Sequence, residues 1–196
     1  MKHIIIAFFF SFLISLSLKA VPNIEVYGVK FNEIFLCQSG DCSNGIKIGG
    51  GSRINIADPY FTTNVGTLID LKKSNLGSNS YSHVKFNVDM KFVIKATNGS
   101  CWSFPTKVEP GYSKGTTDKS KYGEQIIQAA VDNIDCEACS NVTKDSFDFI
   151  WPLSGSYTPG TGQSIAWNID ATNSIDFDGC YIGPGEPGLN FTVVQF

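Results

Sequence analysis

Histidine is almost missing from this chain: among 196 residues only His3 and His83 carry an imidazole. A Ser-His-Asp or Cys-His hydrolase would have to recruit His83, which stands at the start of a strand and reads as an exposed loop-edge residue. The same shortage undercuts a zinc cage. Arginine is scarcer still, with Arg53 alone, and the lysines are scattered. With 15 basic against 18 acidic side chains and a formal charge of −3, the chain has no footprint for a nucleic-acid backbone. No stretch after residue 20 is apolar enough to span a bilayer, and no repeat, heptad, low-complexity tail or change of composition marks a second domain.

The first twenty residues stand apart. Met1-Lys2-His3 leads into the apolar run Ile4–Ile14 and then Ser17-Leu18-Lys19-Ala20, an order of basic start, apolar middle and small residue that describes a signal peptide. The apolar run is shorter than the ~20 residues a spanning helix needs. Removing residues 1–20 leaves 21–196 as one domain of a size that can bury a real core, with a charge near −5 once Lys2 and Lys19 are gone. Behind such a leader, Cys37, Cys42, Cys101, Cys136, Cys139 and Cys180 read as three disulfides formed in an oxidising compartment, and six cysteines allow 15 pairings.

The remaining composition, 19 glycines, 8 prolines and 15 phenylalanines, suits short strands joined by tight turns. From Val84 to Ile94 every second residue is apolar: Val84, Phe86, Val88, Met90, Phe92 and Ile94. That is a half-buried strand with one wet face. Similar runs occur at 24–31, 53–56, 67–71, 147–151, 164–169 and 190–196. Turn chemistry borders them at Gly49-Gly50-Gly51, Asp58-Pro59, Asn98-Gly99, Pro110-Gly111, Pro159-Gly160 and Gly183-Pro184-Gly185. The set predicts an all-β fold, an antiparallel sandwich of two sheets. One segment breaks the pattern: in 124–134 the apolar residues Ile126, Ile127, Ala130, Val131 and Ile134 line one side of a three-turn helix. The polar stretch 111–120 before it reads as a mobile loop.

Catalytic constellations are weak. Cys136-x-x-Cys139 follows the expected helix, whose C-terminal dipole opposes a thiolate, so the pair reads as structural rather than redox. The carboxylate pairs Asp145/Asp148, Asp176/Asp178 and Asp132/Asp135 read as solvated loop and strand-edge charges. Asn98-Gly-Ser, Asn141-Val-Thr and Asn190-Phe-Thr are glycosylation sequons.

The cysteines and the aromatics between them carry the positive signal. Cys37-Gln-Ser-Gly-Asp-Cys42 is a small loop beside a strand. After Cys139 come Phe147-Asp148-Phe149-Ile150-Trp151-Pro152-Leu153, then Tyr157-Thr158-Pro159, then Ile165-Ala166-Trp167-Asn168-Ile169, and finally Gly179-Cys180. This order resembles the ML lipid-recognition family, in particular the soluble sterol carriers of the Niemann-Pick type C kind. The resemblance covers residues 24–64 and 84–182. Two departures are plain: no cysteine precedes Cys37 in the mature chain, while Cys101 is extra, and 71–82 and 111–134 look like insertions, which loops tolerate at small entropic cost.

The resemblance implies an immunoglobulin-like sandwich whose sheets part to admit a lipid. It implies Cys37–Cys42 and Cys136–Cys139 as local loops, with Cys101 taking over as partner of Cys180. It assigns Phe86, Val88, Met90 and Phe92 to one wall of a pocket and Trp102, Phe104, Trp151, Pro152 and Tyr157 to its mouth. The expected function is then that of a non-enzymatic, cofactor-free lipid-binding protein, secreted or in the endosome or lysosome lumen. It would hold a sterol or phospholipid between two β-sheets and transfer it between membranes as a monomer, through transient contact with a membrane surface and none with nucleic acid. The alternative is an extracellular carbohydrate-binding or adhesion module, because β-sandwiches with exposed Trp and Tyr also bind glycans.

Overall fold

The computed structural model describes residues 21–58, 69, 71, 75–106, 108, 110–134 and 138–195. The leader, Asp135, Cys136 and most of the run 67–71 lie outside the described residues. What is described is an all-β, antiparallel structure.

The main layer is built around β1 (Asn23–Cys37), fifteen residues long. On one side of it run β2 (Ile46–Gly49) and β3 (Ser52–Asn55), with Ile34 opposite Gly49 and Phe31 opposite Ser52. Those partners keep one register, so β2 and β3 lie end to end along the same edge of β1. Gly49-Gly50-Gly51 therefore makes no chain reversal, as its composition suggested, but an interruption within one path. Gly50 takes φ +119, and a Cβ there would lie 2.5 Å from the Asn32 carbonyl oxygen, so only glycine fits this close approach.

The other edge of β1 behaves alike. β4 (Tyr81–Asp89) pairs with its C-terminal half and β5 (Lys91–Thr97) with its N-terminal half, Phe31 facing Val88 and Gly28 facing Val93. The alternating run 84–94 is thus one path interrupted at Met90, whose N–H donates to the Asp145 carbonyl instead of a ladder partner. Inward alternation survives the break, with Phe86, Val88, Met90, Phe92 and Ile94 all buried.

Beyond this path lie β7 (Gln125–Gln128), paired with β5, and β9 (Ser146–Tyr157), paired with β4 and in turn with β8 (Cys139–Ser140). The expected helix over 124–134 is not there. Ile127 is fully buried and Ile126 is 41 % exposed, the two-residue period of a strand. The free edge of β5 satisfies this backbone with Phe92 opposite Ile127, whereas an isolated three-turn helix is marginal and consecutive β-branched residues weaken it further. Only a 3₁₀ turn follows, at Val131–Asn133.

The second layer is split. β10 (Gln163–Asp170) pairs with β13 (Gly188–Gln195), while β6 (Ser113–Lys114), β11 (Ile175–Asp178) and β12 (Tyr181–Pro184) form a separate sheet. The stretch 111–120 accordingly is no free loop: β6 pairs with β12, the Gly111 N–H donates to Gln128 at 2.7 Å, and Gly111, Ser113 and Gly115 are buried. Burial alternates along 111–115, with Tyr112 and Lys114 facing outward, a pattern that composition alone could not distinguish from a mobile segment. Cys101 is bonded to Cys180 across 79 residues and Cys37 to Cys42 across 5. Cys139 is disulfide-bonded as well; its expected partner Cys136 lies outside the described residues.

Candidate functional site

A cavity of about 480 Å³ lies between the layers. Protein interiors are otherwise packed to the density of organic crystals, and this volume falls within the ~300–1,000 Å³ of small-molecule sites. The main layer supplies Tyr27, Val29 and Phe31 of β1, Phe86 and Val88 of β4, Phe92 of β5, and Phe147 and Phe149 of β9. The opposite wall comes from both small sheets: Ile169, Leu189 and Phe191 from the β10–β13 pair, Asp176 and Pro184 from β11 and β12. The chain between them, Gly185-Glu186-Pro187, also faces the cavity. Pro184 and Pro187 have no N–H to donate, so the seam at which β12 gives way to β13 is not zipped into one sheet.

Aromatic packing frames the floor. Phe86 stands 5.1 Å from Phe31 and 5.5 Å from Phe191 between ring centroids, and Trp167 meets Phe86 and Phe191 edge-on at 5.4 and 4.9 Å. Offset and edge-to-face contacts of this kind hold rings in place beyond simple burial, so the floor is a fixed apolar surface.

One corner is polar. The Tyr27 hydroxyl, on an almost fully buried side chain, donates to the Gly185 carbonyl at 2.7 Å, and the Tyr112 hydroxyl donates to Asp176 Oδ2 at 3.4 Å. Burial, assisted by the negative charge of Asp176, pushes both phenols above the usual tyrosine range. Tyr112 reaches Asp176 by lying over Gly183, where a Cβ would meet its ring at 2.6 Å. A side chain at 183 would force the ring aside.

Phe86, Val88 and Phe92, expected in a pocket wall, line this cavity. Met90 is fully buried in the core but does not line it. Nor do the residues expected at the mouth. Trp102 is half-buried and bridges Thr97 and Thr116, Phe104 is half-buried, and Pro152 is exposed on β9. Trp151, half-buried, stacks on Phe149 at 5.5 Å, and Tyr157 is buried opposite Tyr81. The lining residues that reach the surface instead include Tyr112 and Glu186, which are exposed, with Ala130 and Ile134 half-buried. The even spacing of Tyr27, Val29 and Phe31 was a legible signal for a wall; that Asp176 would face a hollow was not legible from its neighbours.

Other candidates resolve differently. His83 is half-buried within β4, not at a loop edge. Its Nδ1 lies 2.9 Å from Ser82 Oγ, but that hydroxyl donates its one proton to the Gln38 carbonyl at 2.8 Å, so the imbalance of donors makes His83 the donor and not a base toward Ser82. Asp148 is buried rather than solvated: Asn87 and Asn141 donate to it at 2.8 and 2.7 Å and Lys85 stands 3.6 Å away. Burial alone would raise its pKa, but these donors and the lysine charge hold it below the usual value. This group sits between Phe147 and Phe149 on β9, on the face away from the cavity. Of the sequon asparagines, Asn98 folds into a turn that accepts from Ser100 and Cys101, Asn141 uses its amide on Asp148, and Asn190 is exposed on β13 opposite Asn168. Among the described residues no group of three His, Cys, Asp or Glu is arranged to hold a metal ion. No protein-family model, no curated protein and no solved structure matches the chain.

Proposed function

We propose that the protein is a lipid carrier of the ML kind, which takes one sterol or acyl-chain lipid into the hollow between its two layers and passes it between membranes. The observation that carries this reading is the cavity itself, large, walled by rings and aliphatic side chains, and holding few polar groups. Binding there needs no catalysis; removing hydrocarbon from water supplies ~25 cal/mol per Å². Exposed apolar side chains at the rim support contact with a membrane surface: Tyr112 is 43 % exposed, and Val131, next to the lining residue Ala130, is 42 % exposed. The disulfides are compatible with an extracellular or lumenal site of action. The glycan-binding alternative draws less support: of its exposed Trp and Tyr platform, Tyr112 and Tyr181 are exposed but all three tryptophans are buried or half-buried.

Organic extraction of the purified protein, with mass spectrometry of the extract and uptake of a fluorescent sterol or fatty acyl probe, tests the reading. We expect a lipid in the extract and saturable uptake that Val88→Trp, which fills the hollow, reduces by about tenfold with the thermal transition retained. Absence of both extractable lipid and uptake by the native protein would refute it.

A further inference from the structure

We propose that the cavity sorts its ligands by head-group charge, taking a single-chain amphiphile with a cationic amine head in preference to an anionic one of the same chain length, with Asp176 as the counter-charge. This rests on the carrier reading of the same cavity. Two carboxylates, Asp176 and Glu186, face the hollow, and among the described residues no lysine, arginine or histidine lines it. Most lipid sites that take fatty acids or phosphorylated heads need a cation or a set of free donors. Here the polar corner is built mainly of acceptors.

The hydrogen-bond inventory makes the point. The Tyr27 hydroxyl has already committed its proton to Gly185, and the Tyr112 hydroxyl points its own at Asp176. What remains open is carboxylate oxygen, phenol lone pairs and the backbone carbonyl of Gly185. An ammonium head brings three donors and no acceptor; a carboxylate or phosphate head brings acceptors only. The first completes the corner with charge-assisted bonds. The second leaves its own oxygens unpaired beside two like charges.

The field of Asp176 is felt within the corner, since its charge contributes to the upward shift of both Tyr27 and Tyr112, with Asp178 adding to it at Tyr112. Asp176 is exposed on one side. An amine bound there keeps part of its hydration, which limits the desolvation cost that defeats many buried ion pairs, while the chain lies along Phe31, Phe86, Phe149 and Phe191.

The test is calorimetric titration of the intact protein with dodecylamine, dodecanol and dodecanoate at neutral pH, each kept below its aggregation threshold. We expect the amine to bind most tightly, the alcohol next, and the carboxylate about tenfold or more weaker than the amine. Asp176→Asn, an isosteric change at an exposed position, should bring the amine down to about the affinity of the alcohol for the same variant. Tyr112→Phe should preserve the preference, because the carboxylate remains. Carboxylate binding as tight as the amine, or an unchanged amine-to-alcohol ratio in Asp176→Asn, overturns the charge preference. In those outcomes binding of the alcohol leaves the carrier reading standing; failure of all three ligands to bind also overturns the charge preference, and the carrier reading falls with it only where extractable lipid and sterol uptake are absent as well.

Discussion

The two halves of β1 meet opposite fates. Toward its C-terminus Ile34 and Leu36 are fully buried in the core, opposite Phe86 and Val84 of β4; toward its N-terminus Tyr27, Val29 and Phe31 line the hollow. The boundary falls where the ladders are interrupted: β1 shifts against β4 between Phe31 and Glu33, Gly50 and Gly51 with positive φ separate β2 from β3 on one side, and Met90 leaves the ladder on the other. Bulges bend a sheet and increase its twist. With three interruptions in one band, the sheet keeps close packing on one side of the bend and parts from the split second layer on the other. The same inward alternation of apolar residues thus builds a core at one end and a cavity at the other.

The strongest way to break this comparison is through Cys101–Cys180 and Cys37–Cys42. Cys101–Cys180 ties the turn after β5 to the start of β12, at the end of the main layer where β1 lines the hollow; Cys37–Cys42 closes a small loop at the other end of β1. Replacing Cys101 and Cys180 by serine should cost about 4 kcal/mol, and replacing Cys37 and Cys42 about 2 kcal/mol, from the entropy of the loops released. Urea denaturation of the two double variants reads the difference directly. Equal losses would mean that the hollow end is held by more than its staple.

A sharper comparison uses two valines on the same face of β4. Val84 sits between Leu36 and Trp151, Val88 between Phe31 and Phe147 beside the cavity. Val84→Ala should lose about 2 to 3 kcal/mol, the transferred methyls plus a new void. Val88→Ala should lose about 1 kcal/mol less, since its side chain already borders empty space. Chemical denaturation at neutral pH provides the measurement.

The smallest effect concerns Asp148, on the face of the main sheet away from the cavity. Its folded pKa lies below its ordinary value of 3.8. The stability it contributes is therefore present above that value and fades as the pH falls below it toward the folded pKa. Asp148→Asn should flatten the loss of stability on acidification below about pH 4 while leaving lipid uptake as in the native protein. A change in uptake would place the group in the site after all.

Much of the fold was legible in local pattern. Strands announce themselves by alternation at 84–94 and 24–31 because a half-buried strand must alternate whatever it packs against. The helix expected at 124–134 shows the limit: its apolar residues fit two periods, and the free edge of β5, remote in sequence, chose between them. Gly49-Gly50-Gly51 carries turn chemistry but serves as an interruption within one strand path, since glycine permits both and only the register with β1 distinguishes them. In the site, Phe86, Val88 and Phe92 could be named from their strand. Trp102, Phe104, Trp151, Pro152 and Tyr157 could not be placed correctly, because aromatic content near a proline does not reveal which face of a strand looks inward.

By itself, then, the order of residues determined the strand-forming segments, which side chains must leave water, and the scarcity of imidazole and guanidinium groups. These are consequences of one- and two-residue spacing and of composition. Only the tertiary structure decided where burial ends in close contact and where it ends in a hollow, and that Asp176 meets Tyr27 and Tyr112 at one corner. Such juxtapositions depend on register and on the bend of a sheet, which arise from pairings between segments tens of residues apart.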